Sequence, residues 1–295
     1  YECWGITCND VGSYKNGSGA ILVPQCESSG PFCLTGYCPS SPIDSSLGYM
    51  IDIRDIANAQ TAEIAKEIFV SGNNSSGGKS LSSLSSSAKL VMANEPYYNI
   101  FKYSLVNVAP LANSANGISD FGESIITSVF DDLHEYYDDQ ISKSMAAEAI
   151  VLHIIFMQVA HNLFAAAAFC EKGSNDMVAQ YLDAAVVFYV GVDQQTGDSN
   201  SGYSWYNLAE RMATQFGTTN EMGSSIVNEF VIGKMNDLQK LYVNSNNTCS
   251  QNPNGSSAAL LQAAQEIINK MKVVSLQSLI YYMYIDDKYF VELYA

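Results

Sequence analysis

Basic residues are scarce: 14 Lys and Arg stand against 30 Asp and Glu in 295 residues, a formal net charge of −16. Nucleic acid demands dense positive charge in its partner, and a polybasic anchor on anionic lipid demands the same, so the balance argues against both. Charge of either sign is thin, at 15% of the chain, where soluble domains carry about a quarter. Hydrophobic residues make up 47%, enough for a sizeable core and too many for a disordered chain. No two of the seven cysteines stand in C-x-x-C spacing, which argues against a zinc knuckle.

Enzyme signatures are missing as well. There is no G-x-S-x-G elbow, no G-x-G-x-x-G turn and no H-E-x-x-H helix; His134-Glu135 lacks the second histidine. Gly77-Gly78-Lys79-Ser80 approaches a phosphate loop, but Asn73 stands where its first glycine belongs and no buried strand precedes it. A non-enzymatic protein is expected. The longest apolar run, Ala149 to Cys170, carries His153, Gln158, His161 and Asn162, each costly in hydrocarbon, and lacks a basic flank. It reads as a buried bundle helix, so no membrane span is expected.

What is present points to an oxidising compartment. Cys3, Cys8, Cys26, Cys33 and Cys38 crowd a Gly-, Pro- and Ser-rich arm, with Cys170 and Cys249 alone further on, and clustered cysteines of this kind read as disulfides. N-x-S/T acceptors at Asn16, Asn73, Asn74, Asn246 and Asn254 lie in Gly/Ser/Asn-rich stretches expected to be surface loops carrying N-linked glycans. The chain opens on Tyr1 and not on methionine, as after removal of a leader. A secreted, extracellular or cell-surface glycoprotein is expected.

The arm, residues 1–46, holds one strand-like run, Ala20 to Val23. From residue 47 to 295 the pattern is helical, and β-branched alternation nearly vanishes. Expected helices run from a cap at Asp52 to about Val70, from Pro96 through Val106, from Ser119 or Asp120 to about Asp139, and from Ser142 to near Glu171. Others run from Asn175 or Asp176 to Val190 with Gly191 as the stop, around Tyr203 to Gln215, from Glu221 to Tyr242 and from Ser257 to Ile285. Residues 71–87, rich in Ser, Gly and Asn, read as a loop with one weak helical turn. The fold class is all-α, a multi-helix bundle behind a Cys-rich irregular arm. A faint internal echo links Phe69-Val70-Ser71-Gly72, a polar loop and Ser80-Leu81 with Tyr189-Val190-Gly191, a polar loop and Ser204-Trp205.

Cation sites are the remaining chemistry. Asp131, Glu135 and Asp138 share a helix face at spacings of three and four, where oxygen ligands can converge. Glu148, His153 and His161 lie on the apolar helix, where buried polar groups need partners. These form a secondary set of metal candidates.

One stretch carries a family likeness. Tyr181-Leu182-Asp183-Ala184-Ala185-Val186-Val187-Phe188-Tyr189-Val190-Gly191 is followed by Trp205-Tyr206-Asn207-Leu208-Ala209-Glu210-Arg211 and Phe216-Gly217-Thr218. With Ile68 to Ser75 and the tyrosine-rich Leu276 to Tyr282, this order resembles the algal iron-assimilating proteins, including the phytotransferrin-like, iron-starvation-induced proteins of diatoms. The likeness covers residues 48 to 286 as short motifs and leaves out the arm. It implies extracellular capture of ferric iron with a carbonate anion. The polar residues inside the matching motifs are the implied candidates: Asp183, Tyr189, Tyr206 and Glu210 for the metal, and Arg211 for the anion. A second reading is a structural subunit of an extracellular fibre or surface layer. An arm with so little core must be tied down by disulfides or by another surface, which makes self-association through it the expected contact.

Overall fold

The computed structural model describes residues 2–3, 6–7, 37, 39–75, 77–92, 95, 121–133, 139–191, 203–244 and 248–284. They form an all-α, multi-helix fold. The strands among them are β1 (Glu2–Cys3) and β2 (Ile6–Thr7), a short antiparallel pair with Cys3 opposite Ile6. The expected strand at 20–23 and helix at 96–106 lie outside the described residues, as do Cys8, Cys26, Cys33, Cys38, Asn16, Asn246, Glu135, Asp138 and the Cys3 side chain. The chain divides into two compact units, one made of Tyr1–Asp44 with Asn162–Ala295, the other of Ser45–His161.

In the unit Ser45–His161 the expected single helix from Asp52 to Val70 is two helices. They are α1 (Asp44–Ala57) and α2 (Ala62–Ser71), separated at 58–61, where Thr61 caps α2 by accepting the Ile64 N–H. Asp52 is therefore not a cap but a fully buried residue in mid-helix. Its Oδ1 accepts the main-chain N–H groups of Asn73 (3.2 Å) and Asn74 (2.6 Å), and its Oδ2 accepts those of Ser75 (N–H 3.2 Å, hydroxyl 2.7 Å). One carboxylate thus folds the whole turn after α2.

The segment read as a loop, 71–87, contains most of α3 (Leu81–Val91). Serine composition misleads there because its side chains do packing work: Ser82 and Ser85 are buried and tie α3 to α4 (Phe121–Ser128). The Ser82 hydroxyl donates to Glu123 Oε1 (2.5 Å), and the Glu123 N–H donates to Ser85 Oγ (3.2 Å). α4 runs into a π-helical turn, Val129–Leu133, and Phe130 meets Phe69 with ring centres 6.3 Å apart.

α5 (Asp139–Ala149), a π-turn (Ile150–Ile155) and α6 (Phe156–Glu171) make one long helical run, begun three residues before the expected Ser142. It is the one described helix long and apolar enough to cross a membrane, and 78% of its most apolar window is buried, as in a core helix.

The unit containing Asn162–Ala295 is built from α7 (Asn175–Val190), α8 (Trp205–Phe216), α9 (Ile226–Leu238, continued by a π-turn Gln239–Asn244), α10 (Thr248–Gln251) and α11 (Pro253–Tyr284). α11 packs on α8 and α9, and its Leu260, Ala264, Ile267, Ile268, Met271 and Val274 are buried. Cys170 and Cys249, the two cysteines beyond the arm, are disulfide-bonded with Cα atoms 4.9 Å apart, closing the end of α6 onto α10.

The sequence echo has a geometric counterpart inside each unit. Gly72 (φ +72°) and Gly191 (φ +74°) both end a helix by donating to the carbonyl four residues back, at 2.9 Å. Ser80 and Ser204 then open the next helix, accepting the Ser83 and Asn207 N–H groups (3.1 and 3.2 Å). The residue after each cap, Leu81 or Trp205, is fully buried.

Candidate functional site

Asp183 sits in the middle of α7, fully buried. The Tyr37 hydroxyl donates to its Oδ1 at 2.8 Å. Its Oδ2 accepts the N–H and hydroxyl of Ser40 (2.8 and 3.1 Å) and of Ser41 (2.7 and 2.7 Å). Burial raises its carboxyl above the ordinary range, against the pull of these donors. Tyr37, fully buried beside it, is pushed well up by burial and by that carboxylate. Asp183 therefore fastens the 37–41 segment to α7, and its lone pairs are used in doing so.

Three other implied ligands converge elsewhere in the same unit. Tyr189, the penultimate residue of α7, is fully buried and its hydroxyl donates to Asn228 Oδ1 at 2.7 Å. Asn228 lies in the first turn of α9, whose cap Ser225 accepts its N–H. Its amide nitrogen donates to the Tyr206 carbonyl (2.9 Å) and to Glu210 Oε1 (2.7 Å). The Ser225 N–H reaches both Glu210 oxygens at 3.2 Å. α8 supplies Tyr206 and Glu210 from adjacent turns at a spacing of four, so both face α9.

The electrostatics of this cluster run one way. Burial pushes the Tyr189 phenol well above its ordinary value, and the neighbouring Tyr206 and Glu210 push it further. Tyr206 is raised by burial and then by Glu210. Glu210 is raised by burial, partly offset by Asn228 and the Ser225 N–H. Glu210 thus opposes ionisation of both phenols, and Tyr206 opposes that of Tyr189. A cation reverses that sign for all of them.

Asn228 was not among the sequence candidates. Ser225-Ile226-Val227-Asn228 is a helix start with an amide at the third position, a pattern that places a side chain beside the preceding turn and was the available signal. Arg211 is half-buried one position after Glu210. Adjacent helical residues point about 100° apart, so helix geometry does not bring it onto the Tyr206–Glu210 face.

The secondary candidates are dispersed. His161 Nδ1 and Glu95 Oε1 pair at 2.6 Å. His153 and Glu148 are half-buried, and Asp131 is exposed and paired with Lys66. Among the described residues no three of His, Cys, Asp and Glu are grouped to hold a metal. Asn73 and Asn74 are exposed in the turn held by Asp52; Asn254, also exposed, stands in the first turn of α11 and not in a loop.

An open, largely polar cleft of about 930 Å³ lies at the start of α7, lined by Ser40, Ser41, Asn175, Asp176, Gln180 and Tyr242 among others. No sequence candidate lines it.

The described residues thus define an all-α, disulfide-closed helical protein in which buried Tyr189, Tyr206 and Asn228 cluster with half-buried Glu210. No family model matches the chain, and neither does a curated protein or a solved structure.

Proposed function

We propose that the chain is a secreted, non-enzymatic glycoprotein that takes up ferric iron together with carbonate at the Tyr189, Tyr206 and Glu210 cluster. The observation carrying this reading is the convergence of two buried phenols and a half-buried carboxyl, where burial raises the proton affinity of all three and Glu210 raises that of both phenols further. Phenolate and carboxylate are hard oxygen donors, suited to a hard, highly charged cation. Only a strongly Lewis-acidic ion displaces protons held as tightly as these, which favours ferric iron over magnesium or calcium. Tyr206 is the natural entry point, since its hydroxyl makes no hydrogen bond among the described residues. Asp183 is left out of the ligand set because its oxygens serve the 37–41 segment. The closed Cys170–Cys249 pair suits the oxidising compartment that the reading requires. The family likeness at Tyr181–Gly191 and Trp205–Arg211 supports it from the sequence side.

The test is titration of chelator-stripped protein with ferric nitrilotriacetate in bicarbonate buffer. A saturable phenolate-to-iron charge-transfer band is expected, lost in Tyr206→Phe and weakened in Glu210→Gln. Absence of a saturable band in the intact protein overturns the reading.

A second reading, a structural subunit of an extracellular fibre or surface layer, is favoured by a different observation. Val273, Leu276 and Ile280 form an i, i+3, i+7 stripe on α11 that is 43%, 57% and 46% exposed. Sedimentation analysis separates the two: reversible self-association without an iron band supports assembly, and a monomer at high concentration rejects it.

A further inference from the structure

Attachment of a glycan to asparagine replaces one of the two hydrogens on Nδ2. An asparagine whose fold uses both hydrogens cannot carry a glycan and keep its native contacts. Asn73 and Asn74 are consecutive acceptors, with Ser75 and Ser76 as their respective hydroxyl residues.

The structure treats them differently. Asn74 Nδ2 donates to Asp52 Oδ1 at 2.9 Å and to Asp55 Oδ2 at 2.8 Å, so each hydrogen is aimed at a separate carboxylate. Only the nitrogen end of the amide can face two carboxylates; its oxygen would be repelled by both. The Asn74 N–H is also bound to Asp52, and the Asn74 carbonyl lies so close to Gly48 of α1 that a Cβ there would meet it at 2.5 Å. The turn is closed down on α1 with no slack at this residue. Asn73 Nδ2 makes a single contact, to Asp55 Oδ2 at 3.2 Å, and its second hydrogen is unengaged among the described residues.

We propose that Asn73 is the glycan acceptor of the pair, while Asn74 is a structural bridge between Asp52 and Asp55 that remains unmodified in the folded protein. A glycan on Asn74 would separate it from one carboxylate and unseat the turn that Asp52 organises. The inference rests on the secretory part of the proposed function and is independent of iron.

The experiment uses the full chain secreted from eukaryotic cells, deglycosylated by peptide N-glycosidase in ¹⁸O water and sequenced by fragmentation mass spectrometry. The ¹⁸O-labelled aspartate is expected at position 73, with unmodified asparagine at 74. Asn73→Gln should remove the turn's glycan without transfer to Asn74. Ser76→Ala, which abolishes only the Asn74 acceptor and leaves its amide intact, should leave the glycan mass unchanged. Label at position 74, or a lost glycan in Ser76→Ala, overturns the inference. An unlabelled turn in a protein labelled at Asn254 overturns it alone, whereas a protein with no label at any acceptor overturns the secretory reading with it.

Discussion

Replacing Asp183 tests how the 37–41 segment is held. In Asp183→Ala the Tyr37 hydroxyl stays fully buried and loses its acceptor, a cost of about 1–3 kcal/mol. The four Ser40 and Ser41 donors are part-exposed and recover water, so they add less. With the void left by the carboxyl, the total expected loss is about 2–4 kcal/mol. Asp183→Asn behaves differently: its oxygen can take the four serine donors while its amide donates to the Tyr37 oxygen, which accepts. The Tyr37 O–H is still left without that acceptor, so the variant should lose about 1–3 kcal/mol, without the further cost of a void. The pH dependence adds a sign. The folded carboxyl lies above its unfolded value of 3.8, so the folded chain holds the proton more tightly. Its contribution is then fully present below the unfolded value and lost as pH rises through the folded one. The parent's advantage over Asp183→Asn should therefore shrink as pH rises from 3.8 through the raised folded value. Urea denaturation of the three proteins across that range, with amide exchange at Ser40 and Ser41 as the local readout, measures both effects. Equal stability of Asp183→Ala and parent refutes the account, as does an advantage that grows toward neutral pH.

The remaining predictions concern covalent and backbone constraints. The Cys170–Cys249 bond spans 79 residues, and chain entropy assigns such a loop about 4–5 kcal/mol at most; the double serine variant should show a lowered calorimetric Tm, and an unchanged Tm rejects this. In Gly72→Ala, φ is +72° and the new Cβ would lie 2.3 Å from Ser75 Oγ and 2.6 Å from the Lys79 carbonyl, so a loss of about 2 kcal/mol or more is expected in urea titration. Gly77→Ala has φ +74° but open space around it, and should cost only about 1 kcal/mol. Equal losses in the two would show that the backbone angle alone sets the cost and that the close approach adds nothing.

The helix Asn175–Val190 was legible because apolar spacing, an Asn-Asp start and a Gly stop all agree locally. The long buried helix was legible for the same reason, its polar members notwithstanding. The helix Leu81–Val91 was hidden because serine ordinarily signals a loop, whereas here Ser82 and Ser85 are buried donors and acceptors at a helix contact. Asp52 looked like a cap because a cap and a buried mid-helix acceptor use the same residue type; only the tertiary position of Asn73–Ser75 distinguishes them. At the candidate site, the sequence order of Tyr189, Tyr206 and Glu210 carried no information on distance. Their convergence depends on Gly191 ending one helix and Ser204 and Ser225 opening the next two. Asp183 was grouped with them by proximity in sequence, yet it lies almost two turns before Tyr189 and serves the 37–41 segment.

A chain with so few Lys and Arg must satisfy its buried acids by other means, and the composition that looks loop-like supplies them. The side-chain ion pairs Arg54–Asp55, Lys66–Asp131, Lys234–Glu266 and Lys240–Asp237 all involve substantially exposed groups, where such pairs contribute little. Asp52, Glu123 and Asp183 are instead held by hydroxyls, amides and main-chain N–H groups of Ser, Asn and Tyr. Neutral donors are directional in a way that a lysine charge is not, so each of these acids fixes the conformation of an irregular segment as well as its own burial. Glu210 is held in the same way, by the Asn228 amide and the Ser225 N–H, but it differs in what lies beside it. Its carboxylate opposes ionisation of the Tyr189 and Tyr206 phenols. Neutral donors stabilise the carboxylate and do nothing for the phenols' protons. Positive charge would favour ionisation of all three, and this is why the proposed iron site is placed there.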